Sequence, residues 1–371
     1  MKLFAMGDMS FGDQPLYFGF GIMSTGLRTG HDDLFQHVSS KWTRHDIVFA
    51  NLESVTDLES VEPKGPFESR INRGLKSSAQ AIVQGGINLV SLSNNHMLDH
   101  GEKSFRKTIE VLDANGVQHV GSLANRQCII ERNGLRVGFL AWSVIPGVGT
   151  GELNSNAVLF NFTESESKII EDVEAIKSNV DRLVLSLHWG NEFVHVPSPS
   201  QVRFARTLID HGVDIIIGHH PHVLQPAENY NGGLIFYSLG NFVFDYWMEE
   251  CNQSAIIEID LDDPGNYELH PIKIGPGFMP IPAGGKAHVE QIKNALAAPH
   301  IEDQDAYLRL VYKKRQIYRI SALRHIFRNL LKFLGPSSGA FWKWLFGRAI
   351  YVLRIYSKEK NDPSIVYRKQ H

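Results

Sequence analysis

Short apolar runs alternate with longer amphipathic stretches over the first 217 residues of the chain. Runs rich in Val, Ile, Leu and Phe predict strands at 3–6, 46–50, 87–92, 137–142, 183–187 and 213–217. Stretches with helical periodicity lie at 78–84, 102–115, 165–178 and 200–211, and Gly116 and Gly212 end two of them. Strands that are apolar on both faces need helices on both sides, so this part of the chain predicts an α/β fold.

Beyond about residue 230 the pattern changes to strands with no helices between them. Apolar runs at 234–238, 254–261 and 267–274 are followed by the Gly/Pro-rich segment GPGFMPIPAGG. These runs predict a second, largely antiparallel sheet. A further helix is predicted at 286–298, and the acidic break IEDQD separates it from the basic end of the chain.

The composition is that of an ordinary globular protein. The 371 residues are 43% apolar and 21% charged, which excludes a fibrous or disordered chain. The two cysteines, Cys128 and Cys251, cannot build a disulfide framework or an all-thiolate zinc site. Only four apolar positions follow the N-terminal lysine, too few for a signal peptide, so the sequence predicts a cytoplasmic protein.

The net charge of −3 hides an asymmetry between the two ends of the chain. Residues 313–371 contain 14 Lys and Arg against two acidic residues, a net charge of +12, and the 312 residues before them carry −15. We therefore predict a main domain at 1–298 and a basic amphipathic helical tail at 299–371.

Polar side chains follow the predicted strands at the points where the strands end. They are Asp8, Glu53, Asn94, Asn95, His96, Asp99, His188, Glu192, His219, His220 and His222. Ligands bind beyond the carboxyl ends of strands in α/β sheets, so these side chains are expected to converge. Carboxylate, amide and imidazole groups together suit Mn, Fe(II) or Zn. The candidates exceed the needs of one ion, which predicts two ions sharing one carboxylate, a bound water of lowered pKa, and hydrolysis.

Each of these motifs alone has a simpler explanation. Asp8 after a strand is typical of a helix N-cap, residues 94–96 of a loop with Asx turns, and His188 of a core histidine bonded to the backbone. The pair His220 and His222 also suits a turn with solvated imidazoles. All five strand ends carry such groups, and this coincidence favours the metal site.

Seven ordered motifs resemble those of the CapA family of capsule and poly-γ-glutamate biosynthesis proteins: GDMSFG (7–12), NLES (51–54), FESRIN (67–72), SLSNNHMLDHG (91–101), LHWGNEF (187–193), GHHPHVLQP (218–226) and YSLGNFVFD (237–245). The resemblance covers about residues 1–298. The fold of that family is similar to that of the calcineurin-like metallophosphoesterases, so the resemblance implies a four-layer α/β/β/α sandwich. The change of pattern near residue 230 supports the same fold independently.

The resemblance also implies the ligands of two divalent ions, position by position. They are Asp8 and His222 for the first ion, Asn95, His188 and His220 for the second, and Glu53 as the bridge between them. His219 is the least expected ligand of the three neighbouring histidines. Phosphoesterases commonly have Asp-x-His in the first motif, whereas this chain has Ser10 at the histidine position, so the first ion loses an imidazole.

Other residues take roles from the same resemblance. His96 would protonate the leaving group, and Asp99 would orient its imidazole. Arg70, in the FESRIN segment, would bind an anionic substrate, or is a solvated surface arginine. Asn241 and Asp245 are candidates for fixing the orientation of the ligands.

These features predict a metal-dependent hydrolase of the CapA type in capsule, poly-γ-glutamate or related surface-polymer biosynthesis. It would use metal-activated water on a phosphoester or amide bond, with an anionic polymer or a phosphoester as substrate. The alternative is a non-catalytic, polymer-binding or assembly subunit of a membrane-associated synthase or exporter. Ser10 in place of a histidine favours this alternative.

The tail predicts two amphipathic helices between 312 and 357, broken by GPSSG. Ile320, Leu323 and Phe327 share the apolar face of the first, with Arg324 and Arg328 around the other. No run is apolar enough to span a membrane, so binding in the plane of an anionic membrane, at its inner face, is one expectation. Packing on the acidic body or across a dimer is the other. Nucleic acid is not an expected partner, because the acidic body would repel it.

Overall fold

Two large sheets, a two-stranded sheet and seven α-helices make up the part of the chain that a computed structural model describes, residues 1–31, 33–60, 71–122, 125–147, 163 and 165–329. The strands are β1 (Lys2–Met9), β2 (Ile47–Leu52), β3 (Val55–Leu58), β4 (Arg73–Leu75), β5 (Leu89–Ser91), β6 (Gln118–Val120), β7 (Gln127–Arg132), β8 (Leu135–Ser143), β9 (Arg182–His188), β10 (Ile215–His219), β11 (Ala227–Tyr230), β12 (Gly233–Phe236), β13 (Asn241–Val243), β14 (Gln253–Asp260), β15 (Tyr267–Ile274) and β16 (Pro280–Pro282). The helices are α1 (Ile22–Thr29), α2 (Ser77–Gln84), α3 (Gly101–Ala114), α4 (Glu166–Lys177), α5 (Pro199–Asp210), α6 (Lys286–Leu296) and α7 (Gln304–Arg328).

The first large sheet has β1 at its centre. Its strand order is β16-β15-β14-β1-β2-β5-β6, and β13 also pairs with β1. The half from β1 to β6 is parallel, with Asp8 opposite Asn51 in the β1–β2 register. The half from β14 to β16 is antiparallel. The parallel half brings the carboxyl ends of β1, β2 and β5 to one edge of the sheet.

The second large sheet has the order β11-β12-β10-β9-β8-β7. Strands β8, β9, β10 and β12 are parallel, and β7 and β11 are added antiparallel at the two edges. His188 and His219 are cross-strand neighbours at the ends of β9 and β10. Strands β3 and β4 form the small parallel sheet.

Alternation of side chains along β1 shows how the layers pack. Leu3 and Ala5 belong to an apolar core between the two large sheets, which also contains Phe139 of β8. Phe4 and Met6 point the other way, into a core shared with α2 and α3. A third core joins the outer face of the second sheet to α4 and α5. The order helix, sheet, sheet, helix confirms the predicted four-layer sandwich.

The strands beyond residue 230 do not form a sheet of their own, so that part of the prediction is wrong. Strand β12 lies parallel to β10 and extends the second sheet, whereas β14, β15 and β16 extend the first sheet from β1. The hydrophobic pattern does identify these strands. It cannot identify their partners, because pairing joins residues as distant in the sequence as Leu3 and Ile259.

Helix α7 begins earlier than the predicted first helix of the tail. Asp303, in the acidic break, caps it by accepting a hydrogen bond from the backbone N–H of Ala306. Tyr307 and Val311 are buried against the loop that follows β9, so α7 packs on the rest of the chain. The GPSSG break and the second predicted tail helix lie outside the described residues, and the domain boundary at residue 298 stays a prediction.

A search of the described residues for a helix both long enough and apolar enough to cross a membrane finds none.

Candidate functional site

The strand ends converge as predicted, where the parallel parts of the two large sheets meet. The predicted side chains come from five places in the fold: Asp8 lies in β1, Glu53 directly follows β2, Asn95 and His96 follow β5, His188 ends β9, and His220 and His222 follow β10. Both carboxylates and all three of the predicted imidazole ligands are buried.

Asp8 occupies a point where two segments of the chain lie very close together. A Cβ on Gly7 would lie 2.0 Å from the carbonyl oxygen of Gly240, so only glycine lets β1 pass there. The backbone N–H of Asp8 donates to the same carbonyl oxygen at 3.0 Å. Asn51 Nδ2 donates to Asp8 Oδ1 at 2.9 Å and fixes the direction of the carboxylate.

The carboxylate of Asp8 is kept ionised by its neighbours. His219 Nδ1 lies 3.0 Å from Asp8 Oδ1, and His222 Nδ1 lies 3.6 Å from Oδ2. Burial raises the pKa of Asp8, but His219, His222 and Asn51 outweigh it and bring the pKa below its ordinary value. His219 thus contacts the site as a partner of Asp8, and its rank as a ligand stays a prediction.

Glu53 lies at the middle of the cluster with both carboxylate oxygens buried and with no hydrogen-bond partner among the described residues. Three imidazole nitrogens surround its Oε1: Nε2 of His188 at 3.6 Å, of His222 at 3.7 Å and of His96 at 3.8 Å. Burial and the charge of Asp8 raise the pKa of Glu53 well above its ordinary value.

Two groups of potential ligand atoms, each within 4.8 Å of one another, share one residue: Glu53, His188 and His220 form one group, and Asp8, Glu53 and His222 form the other. Asn95 adjoins the first group, because its Oδ1 lies 2.8 Å from His188 Nε2. The division is the same as that implied by the resemblance. Carboxylate oxygens and imidazole nitrogens are donors that fit divalent metal ions.

The imidazoles of the first group are suited to bind a cation. Burial, together with the charges of neighbouring histidines, lowers the pKa of His188 well below its ordinary value. Burial lowers the pKa of His220 to about 4. Both rings are therefore neutral near pH 7, and a neutral imidazole has the lone pair that a metal ion needs.

His222 is oriented by Asn241, as predicted. His222 Nδ1 donates to Asn241 Oδ1 at 2.9 Å, which leaves Nε2 free to face Glu53. The backbone of His222 has φ +56° and that of His220 has φ +95°, in a region that non-glycine residues rarely adopt. Strain of this kind is typical of segments that present functional side chains.

A second pair of side chains lies beside the ligand groups. His96 Nδ1 and Asp99 Oδ2 are 2.8 Å apart. Asn72 Nδ2 donates to the same carboxylate oxygen at 3.0 Å. Burial lowers the pKa of His96, but Asp99 and the more distant Glu192 and Asp8 raise it further, so that the net pKa is above its ordinary value. His96 is thus placed to carry a proton.

For three further residues of the sequence analysis, the structure does not confirm the expected role. Arg70 lies outside the described residues, and its role stays a prediction. Asp245 accepts hydrogen bonds from the backbone N–H groups of Gln14 and Ile22, the latter at the start of α1, so the structure corrects its expected role in orienting ligands. The hydroxyl of Ser10 is buried and has no hydrogen-bond partner among the described residues.

Some residues of the site are missed by the sequence analysis. Asn72 ends the FESRIN motif, and Phe193 ends the LHWGNEF motif. The ring of Phe193 lies 6.4 Å from that of His222, and the ring of Tyr246 lies 5.1 Å from it. The motifs indicated where these residues are, but contacts between distant segments have no signal in the spacing of one chain.

Curated relatives have names from capsule and polyglutamate synthesis. The capsule biosynthesis protein CapA of Bacillus anthracis is 33% identical over 265 residues, covering 67% of this chain and 63% of that protein. The PGA biosynthesis protein CapA of Bacillus subtilis is 31% identical over 254 residues, covering 66% of each. A probable polyglutamine synthesis accessory protein of Mycobacterium tuberculosis is 28% identical, covering 55% of this chain and 57% of that protein. The matches span less than two thirds of these relatives.

Two solved structures with similarity to this chain are those of a phosphatase and of a calcineurin-like phosphoesterase. A novel phosphatase from Mycoplasma pneumoniae has a TM-score of 0.44 and 13% identity, covering 80% of this chain and 99% of that one. The calcineurin-like phosphoesterase YfkN from Bacillus subtilis has a TM-score of 0.39 and 13% identity, covering 88% of this chain and 98% of that one.

The sequence model of the family described as "Bacterial capsule synthesis protein PGA_cap" matches residues 2–246. The matched residues include every side chain that converges at the strand ends. The chain therefore belongs to the PGA_cap family of bacterial capsule synthesis proteins.

Proposed function

We propose that this chain is a metal-dependent hydrolase of the CapA type that cleaves a phosphoester or amide bond in capsule, poly-γ-glutamate or related surface-polymer biosynthesis. Family membership and the names of the relatives support the pathway. The substrate that we propose is an anionic polymer or a phosphoester. The arrangement of the site supports the class of reaction.

The observation that carries this proposal is the environment of Glu53. Its carboxylate is fully buried, lacks a hydrogen-bond partner within the described structure, and is common to both groups of ligand atoms. Such a group is costly to bury unless a cation neutralises it. Two ions of Mn, Fe or Zn at these groups would supply an activated water and would stabilise the charge that develops during hydrolysis.

His96 and Asp99 supply the proton transfer. Asp99 accepts a hydrogen bond from the Nδ1–H group of His96. Nε2 of His96 is then directed toward the ligand groups, 3.8 Å from Glu53 Oε1. A protonated imidazole in this position would donate its Nε2 proton to the leaving group. Asn72 holds the Asp99 carboxylate and so fixes the direction of the pair.

Elemental analysis of the purified full-length protein by mass spectrometry tests the metal centre. We expect about two equivalents of Mn, Fe or Zn in the wild type and well under one in Glu53→Ala, because Glu53 belongs to both groups of ligand atoms. Glu110→Gln, which removes an exposed carboxylate of α3, is the matched control and should keep the wild-type content. About one equivalent in the wild type would indicate that the first ion, expected at Asp8 and His222 beside Ser10, does not bind. No metal, even after reconstitution, would contradict the proposal.

The second candidate function is a non-catalytic, polymer-binding or assembly subunit of a membrane-associated synthase or exporter. Ser10 favours it, because a hydroxyl without a hydrogen-bond partner in the described part of the chain lies where phosphoesterases of this resemblance have a metal-binding histidine. The name of the Mycobacterium tuberculosis relative, a probable polyglutamine synthesis accessory protein, agrees with such a role. A hydrolytic activity that depends on His96 would exclude this candidate.

We further propose that α7 contacts an anionic membrane through one face. Its exposed apolar residues include Ile320, Leu323 and Phe327, which are 51%, 67% and 81% exposed. Lys313 and Ile317 are exposed on the same helix, and so are Arg324 and Arg328, which lie beside the apolar residues and not on the opposite face as expected. We call these seven residues the outer face of α7. Seven basic residues against one acidic residue give α7 the charge that anionic lipids attract. Location in the cytoplasm, peripheral at the inner membrane face, stays a prediction.

A further inference from the structure

Helix α7 covers the loop that leads away from His188, the last residue of β9. Asn191 Nδ2 donates a hydrogen bond to the hydroxyl of Tyr307 at 2.8 Å. Farther along the loop, Phe193 stacks on Tyr318, with ring centroids 4.4 Å apart and planes inclined by 9°. The first residues after the metal-ligand position are thus attached to α7 at two points, one polar and one aromatic.

Phe193 connects this contact to the turn that carries the other histidines. Its backbone N–H donates at 2.8 Å to the carbonyl oxygen of Pro221, which stands between His220 and His222. Its ring is buried, and its backbone has φ +64°. A phenylalanine adopts this backbone conformation only where its surroundings hold it there. Removal of a surface that holds the ring would release the loop.

The segment after β13 is attached to α7 in the same place. Tyr246 packs its ring 5.1 Å from that of His222. The ring of the next residue, Trp247, lies 5.3 Å from that of Tyr318, and Trp247 Nε1 donates to Ser321 Oγ at 2.9 Å. Tyr318 therefore lies at the junction between α7 and both aromatic segments that border His222.

We propose that Tyr318 is a positioning residue for the metal centre. Its ring holds Phe193, and Phe193 in turn holds the loop after His188 against the turn at 220–222. The proposal rests on the proposed function, because it assigns Tyr318 to the same centre. Helix α7 lies beyond residues 2–246, the segment that the family model matches. A helix outside that segment therefore packs against a site whose residues lie within it.

Three variants of the full-length protein test the proposal. Tyr318→Ala removes the stacking ring, Tyr318→Phe keeps the ring and removes only the hydroxyl, and Tyr312→Ala removes an exposed ring of the same helix as the matched control. Two quantities are measured: the affinity for Mn²⁺ by competition with a chelator, and the backbone hydrogen exchange of residues 189–196 and 220–222 by mass spectrometry.

We expect Tyr318→Ala to weaken Mn²⁺ binding by about tenfold or more, as the loss of a residue that orients metal ligands does. We also expect exchange at 189–196 and at 220–222 to rise by about tenfold, because the loop opens locally. Tyr318→Phe should remain within about twofold of the wild type in both measurements. Tyr312→Ala should match the wild type. If Tyr318→Ala does not fold, Tyr318→Leu keeps apolar volume without the flat ring and replaces it.

Unchanged exchange at 189–196 in Tyr318→Ala overturns the proposal, whether or not the protein binds metal. Faster exchange with unchanged Mn²⁺ affinity also overturns it, because the loop would then not position a ligand. A wild-type protein that binds no Mn²⁺ is a failure of the proposed function instead. In that protein, faster exchange at both segments still supports the positioning role, and unchanged exchange at either one overturns it.

Discussion

Glu53 reaches the centre of the site with both carboxylate oxygens buried and without a hydrogen-bond partner in the described structure. An ionised carboxylate in such a place costs several kcal/mol, so without a cation Glu53 takes up a proton instead. A cation bound between Asp8 and the histidines would keep the group ionised and remove this cost. The same side chain would then destabilise the metal-free fold and stabilise the metal-bound one.

His96 and Asp99 give a prediction at the same scale. If His96 is the general acid, His96→Ala should lower turnover by about 10² or more while the metal content stays unchanged. Asp99 is a cause of the raised pKa of His96, so Asp99→Asn should lower that pKa. The acid must be protonated to act. The alkaline limb of the dependence of kcat on pH should therefore move to lower pH in Asp99→Asn.

The measurement is the pH–rate profile of each variant beside His45→Ala, which removes an exposed histidine outside the site motifs. Turnover that is unaffected in His96→Ala would remove His96 from the mechanism. An alkaline limb that stays in place in Asp99→Asn would show that another group titrates there.

The convergence of the candidate ligands could be predicted from the sequence because each candidate follows an apolar run, and parallel strands bring such ends together. The choice of ligands among these candidates came from the resemblance to the CapA family. Asn72 and Phe193 could not be predicted in the same way. Asn72 reaches Asp99 from another segment, and Phe193 depends on a helix far along the chain. Asp245 was misplaced because its motif indicates proximity to the site but not the N-terminus of α1, to which its carboxylate binds.

Among the elements, the central strands and the long helices follow the hydrophobic pattern closely. Strands β6 and β7 are not predicted, because β6 has three residues and β7, at the edge of its sheet, has one buried residue, Ile130, among exposed and half-buried ones. A short or half-solvated edge strand has little apolar periodicity to detect. The start of α7 was missed for a different reason: the acidic break contains Asp303, which begins the helix as its cap.

The small sheet of β3 and β4 gives a prediction on stability. Arg73 binds Asp57 through two hydrogen bonds, from Nε at 2.7 Å and from Nη2 at 2.6 Å. Burial raises the pKa of Asp57, but Arg73 and Ser104 lower it to below its ordinary value. A lowered pKa in the fold means that the ionised form stabilises the fold, and that this contribution is lost as the pH falls through the lowered value.

Arg73→Met should therefore lower the free energy of unfolding by about 1 to 3 kcal/mol at pH 7, and by progressively less as the pH falls below the ordinary pKa of an aspartate toward the lowered value of Asp57. Urea unfolding at a series of pH values measures both effects. Arg106→Met is the matched control, because its ion pair with Glu102 is exposed and should contribute less than about 0.5 kcal/mol. An equal loss at low and neutral pH would show that Arg73 acts through packing alone.

The outer face of α7 gives a prediction on membrane binding. The double variant Leu323→Glu, Phe327→Glu should bind vesicles of phosphatidylserine and phosphatidylcholine about tenfold more weakly than the wild type, because it loses buried apolar area and gains negative charge. Co-sedimentation with vesicles measures the change. Val83→Glu, at an exposed apolar position of α2, is the control and should bind as the wild type does. Wild-type binding by the double variant would contradict the membrane proposal.

At the scale of the whole molecule, helix α7 belongs to the basic end of the chain and also borders the candidate site. The first 312 residues carry −15 and the rest +12, so an anionic surface repels the body and attracts the basic end. Helix α7 has its outer face in solvent and Tyr318 against the wall of the site. A membrane bound at that face would therefore contact the helix that borders the candidate metal centre.

The pairing of β14 with β1 also determines how the gene can be divided for expression. The family match ends at residue 246, whereas β14 begins at Gln253 and hydrogen-bonds along Lys2 to Ala5. A fragment cut at the end of the match would leave the middle strand of the first sheet with an open edge, which invites aggregation. The segment that defines the family is thus shorter than the segment that folds, and fragments for crystallisation or assay should extend at least through β16.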